Sequence, residues 1–137
     1  MRVGVLALQG DFREHIAALV AIGVEAVPVK TAEEINSVSA LVLPGGESTT
    51  IAKLARIFGV FDLLKSKIAS GLPVYGSCAG LILLSNKILD GAKDQETFGG
   101  LDITARRNAF GRQVDSFEGE IEFAGIGKLN GVFIRAP

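Results

Sequence analysis

Short β-rich apolar runs alternate with segments of helical period through the first half of the chain. No other feature limits the possible folds as strongly. Val3 to Leu8, Ala26 to Val29, Ala40 to Leu43 and Leu72 to Tyr75 read as strands, and the segments between them carry helical spacing. Such alternation predicts βαβ units and a parallel sheet covered on both faces. Phe12, Ile16, Leu19, Val20 and Gly23 recur at helical period, so a first helix is expected to pack on the sheet and end at Gly23 in a left-handed cap. Thr31-Ala32-Glu33-Glu34 has the spacing of a capping box and predicts a short helical turn. A helix is expected from about Thr49, with Ile51, Leu54, Ala55 and Phe58 on one face and Gly59 as its stop. Another is marked by Val60, Leu64 and Ile68 and closed by Gly71, and Leu81 to Leu84 is apolar all round, as in a helix wedged inside the protein. After about Ser85 the helical period fades. Leu101 to Ala105, Gly119 to Phe123 and Gly131 to Ile134 then read as strands, partly antiparallel. The expected fold is α/β: an open, mostly parallel sheet with helices on both faces and some antiparallel strands in the C-terminal part, as one domain over residues 1–137.

Composition narrows the function. Apolar residues make up 48% and charged residues 21% of the 137 positions, with a formal net charge of -1, which argues against both disorder and a nucleic-acid footprint. Arg106, Arg107 and Arg112 are the one tight basic cluster, too small to track a phosphate backbone. The apolar run at the N-terminus is too short for a signal peptide and no stretch approaches membrane-spanning length. A single cysteine excludes an internal disulfide framework and fits a reducing compartment, so a cytoplasmic protein with no membrane partner is expected.

In open parallel sheets the ligand crevice lies beyond the carboxyl ends of the strands, so residues just after each strand should converge. Three sets stand there: Gln9-Gly10, Pro44-Gly45-Gly46-Glu47-Ser48 and Gly76-Ser77-Cys78. The glycine-rich loop lacks the Walker spacing and its lysine, and Glu47 would repel a phosphate, so a zwitterion or amide suits it better. Glu47 can face an ammonium group, and backbone amides can face a carboxylate or oxyanion. Cys78 lies in G-x-C-x-G at a strand-to-helix corner, the cysteine form of the nucleophile elbow, where a strained turn exposes the side chain. A helix N-terminus favours the thiolate there. Taken alone, a lone Cys commonly fills space in a core, and Pro44-Gly45-Gly46 is an ordinary way to end a strand.

The residues that surround these sets resemble a known family. Pro44-Gly45-Gly46-Glu47-Ser48-Thr49-Thr50, Gly76-Ser77-Cys78-Ala79-Gly80, the run from Arg107 to Glu118 and Phe133-Ile134-Arg135-Ala136-Pro137 are similar to the glutaminase subunits of pyridoxal 5'-phosphate synthase, which are class I glutamine amidotransferases of flavodoxin-like fold. The resemblance runs from Val3 onward. It implies hydrolysis of L-glutamine to glutamate and ammonia with no cofactor and no metal, and a hetero-oligomer with a synthase subunit that takes up the ammonia. It also implies site roles: Cys78 as nucleophile, the N–H groups of Gly46 and Ala79 as the oxyanion hole, and Gly46, Glu47, Ser48, Arg107, Ile134 and Arg135 as the hold on glutamine. On spacing alone Arg107 would pass as a surface ion-pair partner.

In the resembled family a C-terminal His-x-Glu supplies the general base and its orienting carboxylate. Residues 1–137 hold one histidine, His15, on the first helix between Glu14 and Ile16, and it is read as a solvated or structural side chain. The chain as read is therefore expected to be a C-terminally incomplete amidotransferase domain, inactive alone. Two other readings stand beside this one. A DJ-1/PfpI-like cysteine hydrolase or redox sensor would share the elbow and the glycine-rich loop, and a non-catalytic synthase-binding domain would need no base.

Overall fold

The computed structural model describes residues 1–91, 94–107 and 116–133, which fall into two compact units, one of residues 1–105 and one from Arg106 onward. The first unit is built on a sheet of four parallel strands, β1 (Arg2–Leu6), β2 (Glu25–Val29), β3 (Ala40–Leu43) and β4 (Val74–Gly76), in the order β2-β1-β3-β4. Because β1 pairs with β2 on one side and β3 on the other, the chain reverses its winding between β1 and β3. The crevice of a doubly wound sheet opens at such a reversal, outside the carboxyl ends of the strands.

Side-chain alternation along the strands feeds two cores. Val3, Val5 and Val42 face helix α1 (Phe12–Ala21) and pack with Phe12, Ile16 and Leu19. Leu6, Leu41 and Leu43 face the other way, onto α3 (Ser48–Ile57), α4 (Phe61–Ala69) and α5 (Ala79–Leu84), with α2 (Ala32–Asn36) contributing Ile35. The expected two-sided parallel sheet is therefore what these residues form. Positive-φ glycines at Gly23, Gly59 and Gly71 end α1, α3 and α4. The capping box at Thr31 and Glu34 is complete, with each side chain bonded to the other's backbone N–H.

Two local expectations needed correction, and one buried residue had gone unread. The face that α3 buries is Ser48, Ile51, Ala52 and Ala55, whereas Phe58 is 52% exposed just beyond its end. Leu81 of α5 is 43% exposed, so that helix is buried on one side rather than all round. Phe98 lies outside any helix or strand, yet it is 2% exposed and its ring sits 4.9 Å from that of Phe61. This anchors the segment after β5 (Ser85–Leu89) to the core. β5 and β6 (Leu101–Arg106) form a separate two-stranded sheet, and β5 had carried no strand signal in the sequence.

The second unit is a hairpin of β7 (Phe117–Phe123) and β8 (Gly127–Phe133), paired antiparallel from Phe117↔Phe133 to Phe123↔Gly127. The rings of Phe117 and Phe133 stack at 4.9 Å across its open end.

Candidate active site

Cys78 stands between β4 and α5 with φ 49 and ψ -110, a backbone region a side-chain-bearing residue rarely occupies. Holding it there costs on the order of 1–3 kcal/mol, which the surrounding contacts must offset. They are identifiable. Ser77 N–H bonds Leu43 C=O at 3.2 Å, and Gly80 N–H bonds Ser77 C=O at 2.8 Å. A Cβ on Gly80 would collide with the carbonyl of Leu43, and one on Gly76 would lie 2.7 Å from the Gly80 carbonyl carbon. The two glycines flanking Cys78 therefore let α5 start directly against the strand ends. The turn leaves Cys78, the one cysteine of the chain, exposed.

The loops after β1 and β3 interlock beside it. Asp11 N–H bonds Gly45 C=O at 3.3 Å, and the Gln9 side-chain oxygen accepts the Glu47 N–H at 2.9 Å. Gly46, at φ 148, has the Gln9 oxygen 2.5 Å from where a Cβ would stand, so any other residue would both strain the backbone and displace Gln9. Glu47 is the N-cap of α3. Its carboxylate accepts from Thr49 N–H at 3.1 Å, Thr50 N–H at 2.7 Å and the Thr50 hydroxyl at 2.8 Å. Partial burial pushes this carboxyl upward, but the hydrogen bonds from Thr50 and Thr49 outweigh it and hold the pKa at about 2. Ser48 is 2% exposed, and its hydroxyl accepts from the Gln95 side-chain amide at 2.7 Å. Next to this, Arg56 pairs with Glu96 at 2.5 Å and Asp62 at 2.8 Å while lying 3.8 Å over the Phe61 ring. The Glu96 hydrogen bond, above all, raises the Arg56 pKa further.

The residues singled out in the sequence thus separate by unit. Gly46, Glu47, Ser48, Cys78 and Ala79 lie at the carboxyl ends of the neighbouring strands β3 and β4 in the first unit. Arg107 directly follows β6, half-buried, in the second unit. Ile134 and Arg135, and most of the Arg107 to Glu118 run, lie outside the described residues.

One residue read as solvated or structural stands at the corner. His15 of α1 is partly buried, with Nε2 3.0 Å from Ser77 Oγ, and its ring meets Tyr75 edge-on at 6.3 Å. These partners are 62 positions apart in the chain, so no local pattern could reveal the contact. Its sequence sign was weak: His15 falls on the same helix as Phe12, Ile16 and Leu19, one turn from the β1 loop. Among the described residues no three His, Cys, Asp or Glu side chains are grouped to hold a metal, and no helix is long and apolar enough to cross a membrane.

Comparison with known proteins adds to this geometry. The model of the SNO glutamine amidotransferase family matches residues 5–137. A protein of Acidothermus cellulolyticus named pyridoxal 5'-phosphate synthase subunit PdxT is 61% identical over 99% of this chain and 67% of its own length. One of the same name from Nocardioides is 57% identical over 98% of this chain and 68% of its own length. The chain thus spans about two thirds of these relatives. A crystal structure described as a glutamine amidotransferase superposes with a TM-score of 0.86 at 51% identity, over 98% of this chain and 71% of that one. A peptidase E-like protein of Listeria monocytogenes shares the fold alone, with a TM-score of 0.61 at 15% identity over 74% of this chain and 63% of that one.

Proposed function

We propose that this chain, which belongs to the SNO glutamine amidotransferase family, is a glutaminase that hydrolyses L-glutamine to L-glutamate and ammonia through Cys78 and passes the ammonia to a pyridoxal 5'-phosphate synthase subunit. The observation that carries the reading is the strained, exposed Cys78 at the start of α5, a nucleophile elbow beside the crevice between β1 and β3. In the proposed reaction the Cys78 thiolate attacks the side-chain amide carbon of glutamine. The carbonyl π electrons move to oxygen, and the N–H groups of Gly46 and Ala79 stabilise the oxyanion. A donor of that kind is typically worth about 3–4 kcal/mol. Collapse expels the nitrogen, which leaves as ammonia once protonated, and forms a glutamyl thioester. Water then attacks the thioester and frees glutamate and Cys78.

Glutamine would be held by Gly46, Glu47, Ser48 and Arg107, with Ile134 and Arg135 supplying backbone contacts. Because the Glu47 carboxylate already caps α3 and the Ser48 hydroxyl already accepts from Gln95, these two residues would meet the substrate chiefly through their backbone at the start of α3. The proton carrier, by family resemblance, is the histidine of a His-x-Glu segment that does not occur within residues 1–137.

The synthase partner is supported by the name of the relatives. A hetero-oligomer makes chemical sense, because ammonia released away from its acceptor is protonated and lost. The family match across residues 5–137 supports taking both units as parts of one amidotransferase domain, and the free thiol suits a cytoplasmic setting. The decisive experiment measures glutamate release by the protein carrying this chain, with and without the synthase subunit, for the native sequence and Cys78→Ala. It is paired with labelling by an electrophilic glutamine analogue. Cys78-dependent release and selective labelling are expected. A Cys78 that ignores the analogue yet is readily oxidised by peroxide would instead favour a redox sensor.

A further inference from the structure

We infer that His15 is a positioning residue for Cys78, acting through Ser77 to hold the elbow in its strained, reactive conformation; this rests on the glutaminase reading above. Ser77 immediately precedes the residue at φ 49 and is fastened at three points. Its N–H bonds the Leu43 carbonyl at the end of β3, its C=O takes the Gly80 N–H inside the turn, and its hydroxyl meets His15 Nε2 at 3.0 Å. The first two contacts belong to the strand end and to the turn itself. Only the third ties the corner to α1, on the opposite face of the sheet from α5.

The geometry explains why that third tie matters. β4 is a three-residue strand whose central side chain, Tyr75, is 61% exposed, so little packing fixes the sheet on this side. His15 supplies what packing does not, by meeting the Tyr75 ring edge-on and the Ser77 hydroxyl with its ring nitrogen. An unfavourable backbone conformation persists only where its surroundings over-determine it. Without the His15–Ser77 bond, rotation of the Ser77–Cys78 peptide toward ordinary φ would swing the thiol away from the amides of Gly46 and Ala79. Misplacement of a reacting group by about 1 Å commonly costs orders of magnitude in rate, so even partial loosening is measurable.

The test uses the protein carrying this chain in complex with its synthase subunit. Four variants are compared: His15→Ala, Ser77→Ala, the two combined, and His15→Gln, whose amide reaches about as far as the imidazole Nε2. Glutaminase kcat and KM are measured together with the alkylation rate of Cys78 by iodoacetamide. Both single variants are expected to lower kcat about tenfold while KM moves less than about twofold, with alkylation slowed in parallel. The double variant should be no slower than the worse single variant, because both delete one interaction, and His15→Gln should recover most of the rate. Losses that multiply in the double variant, a change confined to KM, or native kcat and alkylation in Ser77→Ala would each overturn the inference. Ser77→Ala removes a single oxygen, so it keeps the test decisive if His15→Ala folds poorly. Absence of glutamine turnover in the native complex would strike the glutaminase reading instead, and the alkylation rates would still judge the role of His15.

Discussion

The side-chain oxygen of Gln9 accepts the backbone N–H of Glu47 at 2.9 Å, joining loops that are 38 positions apart in the chain. Through this bond the β1 loop fixes the Gly46–Glu47 peptide, which adjoins the Gly45–Gly46 peptide whose N–H is the proposed oxyanion donor. If the proposed synthase subunit raises glutaminase activity by acting through the β1 loop, Gln9→Ala should leave unfolding behaviour nearly unchanged while diminishing that rise. Kinetics of the variant with and without that subunit test this. An undiminished stimulation would show that Gln9 has no part in the coupling.

Gly80 and Gly59 should respond to alanine for different reasons. A methyl on Gly80 runs into the Leu43 carbonyl, whereas Gly59 has nothing within 4 Å and only its φ of +69 to object. Gly80→Ala is expected to cost about 3 kcal/mol or more and to slow Cys78 labelling, since α5 must move off the strand ends. Gly59→Ala should cost only about 1 kcal/mol and leave labelling intact. Urea denaturation with iodoacetamide kinetics reads both, and equal costs for the two would contradict the steric argument.

The backbone of Cys78 is held at a cost in stability. At φ 49 an alanine keeps the strain, while a glycine removes it at a small entropic cost. Cys78→Gly should therefore be more stable than Cys78→Ala by about 1 kcal/mol, although both are inert toward glutamine. Thermal unfolding of the two side by side is the measurement. A less stable glycine variant would mean that the corner is not strained.

The Glu47 cap makes part of the stability pH-dependent. Its carboxyl sits at about 2 in the fold against an ordinary 4.5. A group depressed on folding contributes fully above its unfolded value and loses that contribution as pH falls through its folded value. Native protein should exceed Glu47→Gln by about 1 kcal/mol near neutral pH, the usual worth of a helix cap in a largely solvated position. The gap should narrow from about pH 4.5 and close near pH 2. Denaturation curves at several pH values check it, and a gap independent of pH would assign the effect to packing instead of charge.

Much of this molecule was legible in the order of its residues. The four parallel strands follow from apolar runs bounded by helical periods, and the caps at Thr31, Gly23, Gly59 and Gly71 follow from local backbone chemistry. The strained corner at Cys78 was equally visible in G-x-C-x-G, where Gly76 clears the Gly80 carbonyl four residues on. These are short-range causes, written in contiguous sequence. The sheet order, the face of α3 that is buried, the burial of Phe98 against Phe61 and the meeting of His15 with Ser77 are of another kind. Each depends on which surfaces the crossovers bring together across tens of residues, where packing overrides local pattern. Sequence alone therefore pointed to Cys78, the proposed nucleophile, and to the loops beside it, and the tertiary structure decided what holds Cys78 in place.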